Sequence, residues 1–270
     1  MASGSIIEEQ GLFGPESPIW RVNRESAVAL GGTCAILMQL AHPRVAAGVR
    51  DHSRFEEDTV GRLRRTLDLT MTIVFGSRTA AMRAVRSINA RHRTVNGPGY
   101  SALDPELLMW VHATLVYSGL RAYRAFVGPL SAADRNGYYQ DTKEIGILLG
   151  IPRQMYPASI DAFDAYLDGL IEAGEIRVGE GAREMGWRVL QPRIRSVPRI
   201  AFAPMQVITT ALLPARLRAE YGLEWGPVQR VAFSAFRVSL ARLVAISPVP
   251  VRWLPYARHA YRRLRLQAAC

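Results

Sequence analysis

Hydrophobic and polar positions follow helical spacing through most of this chain. Between Arg78 and Gly97, Ala81, Val85, Ile88, His92 and Val95 recur at intervals of four, three, four and three, so they share one stripe of a helix. Arg83, Arg86, Asn89 and Arg93 fall off that stripe, and Gly97-Pro98-Gly99 is expected to stop it. Upstream, a polar arm becomes ordered around Ile19, Trp20 and Val22. The run SAVALGGTCAILMQLAHP that follows carries no Asp, Glu, Lys or Arg and reads as a helix buried on all sides. Gly61–Phe75 predicts a third helix with Leu63, Leu67, Met71 and Val74 inward. Asp104-Pro105-Glu106 supplies a capping residue, a proline at the first position and an acid in the first turn of another. Ser131–Leu149 and Pro157–Ala173 read as two more helices. From Gly174 the glycines at 179, 181 and 186 and the following prolines predict a turn-rich stretch. Helical patterning resumes at Met205–Leu213, Pro214–Tyr221, Gly226–Ile246 and Val249–Leu266, and Gly226–Ile246 is apolar nearly all round. No alternating run is long enough to predict a strand. The expected class is all-α: an N-terminal arm (1–22), a helical core (23–173) and a Pro-interrupted helical C-terminal region (174–270) packed on it.

With 270 residues, 49% of them hydrophobic, the chain can bury a substantial core. The two cysteines, Cys34 in an apolar run and Cys270, make no disulfide framework or CxxC pair, which fits a reducing compartment. The start lacks the basic-then-apolar pattern of a signal peptide, and no run of eighteen uncharged apolar residues predicts a spanning helix. A cytoplasmic protein, peripheral to the inner face of a membrane, is the expectation. The net charge of +11 comes from 34 basic residues, of which only Lys143 is lysine. Arginines 252, 258, 262, 263 and 265 crowd the last twenty residues without an acid. On charge alone such a surface suits anionic lipid, nucleic acid or an acidic partner. The basic–aromatic motifs of nucleic-acid modules are missing, so no specific nucleic acid is expected.

Several chemistries are excluded by absence. There is no GxGxxG, no GxxxxGK, no GxSxG and no HExxH, and no Glu-x-x-His pair of the kind that builds di-iron bundles. What stands out is four histidines, His42, His52, His92 and His112, within one helical apolar block. His92 and His112 both lie on inward stripes. An inward neutral imidazole is either a core histidine bonded to a carbonyl or a ligand for a buried iron. The pair Gly31-Gly32 costs helix propensity of about 1 kcal/mol per residue, which implies close approach by a neighbouring helix or by a flat ligand. Arg62, Arg65 and Thr66, three and four apart, share one helix edge where they can hold an anionic group or bound oxygen, or simply be solvated.

The run GGTCAILMQLAHPRVAAGVRDHSRFEEDTVGRLRRT, then FGS, HRTVNG and YSALDPELLMWVHATLVYS, resembles the MpaB/rubber-oxygenase catalytic-domain family, which includes the latex-clearing proteins. The likeness is close over about residues 19–155 and weaker beyond. It implies a globin-like helical core around a haem b pocket, with additional C-terminal helices. His92, with Val95 completing an H-x-x-V segment, matches the proximal iron ligand. Arg62, Arg65 and Thr66 occupy the spacing of a distal Arg, Lys and Thr, with Arg65 in place of the lysine. Arginine can donate hydrogen bonds but cannot act as a base. Asp51 and Glu57 are the candidates for the family's distal acid, Gly31 and Gly32 for close approach to the cofactor, and His112 for a residue near it. The function so implied is a haem-dependent oxygenase acting with dioxygen on a hydrophobic small molecule, by oxidative cleavage of an olefinic or isoprenoid bond. The alternatives are a non-catalytic haem or gas-binding protein of the same fold and a basic membrane-peripheral helical protein.

Overall fold

The computed structural model describes residues 11–52, 59–192, 194 and 197–268. It is 74% helical, so the chain is all-α. Among the described residues the helices run α1 (Pro18–Asn23), α2 (Gly32–Leu40), α3 (Pro43–His52), α4 (Thr59–Phe75), α5 (Arg78–His92), α6 (Pro105–Phe126), α7 (Ala132–Leu148), α8 (Ile160–Glu172), α9 (Glu180–Leu190), α10 (Ala203–Leu212), α11 (Ala215–Glu220), α12 (Pro227–Ile246), α13 (Val249–Arg252) and α14 (Pro255–Ala268).

The local signals explain most boundaries. Ser77, Ser131 and Ser159 each accept a hydrogen bond from a backbone N–H in the first turn of α5, α7 and α8, and Asp104 does the same for α6 ahead of Pro105. Helix α6 is the axis of the fold: fifteen of its residues are buried, and it packs against α2, α7, α12 and the 3-10 turn Ser26–Gly31. One continuous core runs from Ile19 to Ala260 and takes in residues from both sides of position 174. The end of the N-terminal arm belongs to it. Ile19, Trp20 and Val22 are wholly buried on α1, and the Trp20 indole donates to the Val74 carbonyl at 2.9 Å.

Four features depart from the sequence expectation. The long buried helix begins as the 3-10 turn Ser26–Gly31, and α-geometry starts at Gly32. A Cβ on Gly31 would lie 2.6 Å from the Ser118 carbonyl oxygen of α6, so this glycine serves close helix–helix approach. Helix α5 ends at His92, and Val95 lies beyond it. Gly97-Pro98-Gly99 instead turns a two-residue hairpin, β1 (Asn96–Gly97) with β2 (Tyr100–Ser101), with Gly99 at φ +79°. Proline followed by a left-handed glycine is the signature of a type II turn. The stretch expected to be turn-rich contains α9, where Gly186 leaves room for the Tyr221 ring. The last predicted helix is broken into α13 and α14 at Trp253-Leu254, because Leu254 N–H donates to the Arg24 carbonyl and Trp253 bridges to Glu25.

Candidate functional site

A cavity of about 720 Å³ opens between α3, α4, α5, the hairpin and α6. Its size falls in the ~300–1,000 Å³ range of cofactor and small-molecule sites. The walls follow from the stripes. Leu69 comes from α4, Ile88 and His92 from α5, Val95 from the turn that follows, and Leu107, Leu108, Val111 and Leu115 from α6. Val45, Gly48 and Val49 of α3 close one side beneath Tyr100, whose ring would sit 3.3 Å from a Cβ at Gly48. The lining is therefore mostly aliphatic. Among the described residues its polar members are Gln39, Arg44, His52, Arg65, Thr66, Thr70, Arg91, His92 and Tyr100, with no carboxylate among them.

His92 lies in the wall, as the stripe requires. Its Nδ1 is buried and has no hydrogen-bond partner. Burial also lowers the ring's pKa from 6.5, which keeps the imidazole neutral near pH 7 with a lone pair free. Among the described residues no three His, Cys, Asp or Glu side chains converge, so His92 is presented singly.

Arg65 and Thr66 also line the cavity, from α4, where both are exposed because the cavity opens there. Arg62 belongs to α4, but its side chain lies outside the described residues, as do Leu63, Glu57 and Cys270. Asp51 stands beside the cavity. Its carboxylate accepts a 2.8 Å hydrogen bond from the cavity-lining Tyr100 phenol and a 3.1 Å bond from Arg50, which together lower its pKa. His52, which the sequence marked only as one of four histidines, is in the lining too. Its Nε2 sits 2.7 Å from the Asn96 carbonyl, and its ring meets Tyr100 edge-on. Arg44 straps the rim to α6 through Asp104 (2.6 Å) and Glu106 (2.7 Å).

The other predicted members are elsewhere. Gly31 and Gly32 do not line the cavity; Gly31 meets α6. His112 is on α6 but faces α7. Its Nδ1 is 3.2 Å from the Tyr156 hydroxyl, a second hydrogen bond engages the Thr142 backbone, and burial pushes its pKa down to about 4. That is a satisfied core histidine. Tyr100, Gln39 and Arg91 carried no sequence signal as lining residues, because the first two come from elements joined only by tertiary packing and Arg91 sits one position off the α5 stripe.

Two uncharacterised mycobacterial proteins, from Mycobacterium bovis and Mycobacterium tuberculosis, are each 29% identical to this chain over 231 residues, covering 77% of it and 85% of their own length. No solved structure matches the chain. The family described as the catalytic domain of ER-bound oxygenase mpaB/B' and rubber oxygenase matches residues 20–245, a span that includes every wall of the cavity. The chain belongs to that MpaB/rubber-oxygenase catalytic-domain family.

Proposed function

We infer that this protein is a haem b-dependent oxygenase that acts on a hydrophobic small molecule in the cavity between α3, α4, α5 and α6. The observation that carries the reading is a neutral His92 in the wall of a mostly aliphatic cavity. His92 would be the protein ligand to the iron. When bound, the haem supplies a redox-active iron with chemistry toward dioxygen.

The chain's own residues do the rest. Leu69, Ile88, Leu107, Leu108 and Val111 exclude water and take up an apolar substrate. Thr66 and Arg65 offer hydroxyl and guanidinium donors to developing negative charge from the α4 edge, where the cavity opens. Arginine donates hydrogen bonds and does not act as a base, so the role open to Arg65 is to polarise and not to abstract. Cleavage of a carbon–carbon double bond by dioxygen places one oxygen atom on each carbon and gives two carbonyls, with no external reductant. An olefinic substrate is therefore consistent with a cavity that offers apolar contact and hydrogen-bond donors.

Haem titration into the purified protein tests the reading. A Soret band should develop at stoichiometric haem, His92→Ala should lose it or shift it, and His112→Gln should keep it. A parent that takes up no haem, or a His92→Ala variant with the parent spectrum, overturns the assignment. Substrate-dependent dioxygen uptake then distinguishes a catalyst from a haem carrier.

A further inference from the structure

Helix α12 turns the wrong side to water. Its core side is made by Phe233, Phe236, Leu240 and Val244, with Phe233 and Phe236 edge-on to Phe126 of α6. The opposite side of a surface helix is ordinarily polar. Here that side carries Val228 (77% exposed), Val231 (69%), Val238 and Ile246 (80%), with alanines at 232, 235 and 245 between them. Leu243, then Val249 and Val251 on α13, extend the exposed apolar surface. Arg242 projects from the same face, while Arg230 and Arg237, also exposed, lie along one edge of the helix next to the core stripe. Neither Arg237 nor Arg242 has an ion pair among the described residues. From Trp225 to the last residue the sequence holds eight arginines and no Asp or Glu.

We propose that α12 and α13 form a docking surface for the headgroup region of an anionic lipid bilayer, in which α12 lies in the plane of the interface. An apolar face with an arginine on it and others along one edge matches that boundary: aliphatic side chains enter the acyl region while guanidinium groups reach back to phosphate. The charge balance selects this occupant over a second copy of the chain. A two-fold contact through α12 would set the arginines of one copy against those of the other with no acid on either face to offset them. The helix docks and does not span, since no helix among the described residues is long and apolar enough to cross a membrane.

Sedimentation of the full chain with vesicles of phosphatidylcholine, and of equal parts phosphatidylcholine and phosphatidylglycerol, tests this. Binding is expected to the anionic vesicles, weakening as salt is raised. Val231→Asp and Arg242→Glu, both at exposed positions on that face, should each lower the partition coefficient by about tenfold, with unchanged thermal unfolding showing the fold is intact. No binding to anionic vesicles at low salt overturns the proposal, as does parent-like binding by both variants. A chain that sediments as a dimer in solution, and as a monomer only once Val231→Asp is introduced, assigns the face to a second copy and overturns it as well. Lipid binding needs no cofactor, so its result stands apart from that of haem titration.

Discussion

His92 and His112 look alike in the sequence, each on the apolar stripe of a helix, yet they have opposite surroundings. His112 has both a phenol and a backbone group beside its ring, whereas His92 has an unpartnered nitrogen at a cavity wall. The consequence for His112 is measurable. Its folded pKa of about 4 lies below the ordinary 6.5, so the unfolded chain binds the proton more tightly. Stability contributed by the neutral ring is complete above pH 6.5 and is lost as the pH falls toward 4, by roughly 3 kcal/mol if this group acted alone. Burial lowers His42 and His92 in the same direction. Thermal unfolding of the parent should therefore fall steeply over that window, and His112→Gln should flatten the slope; an identical slope would assign the loss to other groups. Thr66 belongs to a different class of residue. Because it is exposed on the cavity edge, Thr66→Ala should change unfolding by less than about 0.5 kcal/mol. It should leave haem content unchanged and lower substrate-dependent dioxygen uptake.

At the scale of elements, helix existence was readable wherever a period of 3.6 coincided with a cap. Asp104-Pro105-Glu106 and Ser131 gave starts within a residue or so of those observed, and the helix expected from Pro157 begins at Ile160, behind Ser159. Glycines misled in both directions. Gly186 was read as a turn residue and lies inside α9, where its lack of a side chain admits Tyr221. Gly99 does sit in a turn, but one that reverses a hairpin and brings Tyr100 over Gly48. Gly31 offered two readings, and the geometry selects helix packing. A Cβ there would meet the α6 backbone at 2.6 Å, and backbone cannot swing aside as a side chain can. Gly31→Ala is expected to destabilise by about 1–3 kcal/mol in denaturant unfolding. An unchanged midpoint would mean that α2 and α6 can separate at little cost.

Across the whole molecule, the two ends of the chain are latched by a buried charge. The Glu25 side chain is 1% exposed and holds Arg252 of α13 at 2.7 Å and Arg24 at 3.4 Å. Leu254 and Trp253 extend the contact through backbone. Beyond it α14 is tied to α4 by Arg263 on the Phe75 carbonyl and by Tyr256 on Asp68. The two arginines are 25% and 29% exposed, so either can turn to water, whereas Glu25 cannot. Removing the partner of a buried charge is the costlier change. Arg252→Ala should accordingly destabilise more than Glu25→Gln, with the first on the order of 2–3 kcal/mol. The reverse order in equilibrium unfolding would mean that water reaches Glu25.

The helical class, most element starts, the inward direction of His92 and the family resemblance were all present in the sequence. Each is carried by residues close together in the chain: periodicity, caps and motif spacing are local quantities. The division of roles between His92 and His112 was not, because it depends on Tyr156 and the Thr142 backbone, which arrive beside His112 from residues 30 to 44 positions away. The same holds for the cavity, whose walls come from α3, α4, α5, the hairpin and α6 and exist only once those elements pack. It holds too for α12, which the sequence presented as apolar nearly all round. Its neighbours cover one side alone, and what the other side meets is decided by tertiary packing, since a helix's own sequence states how apolar each face is but not how many faces find a partner.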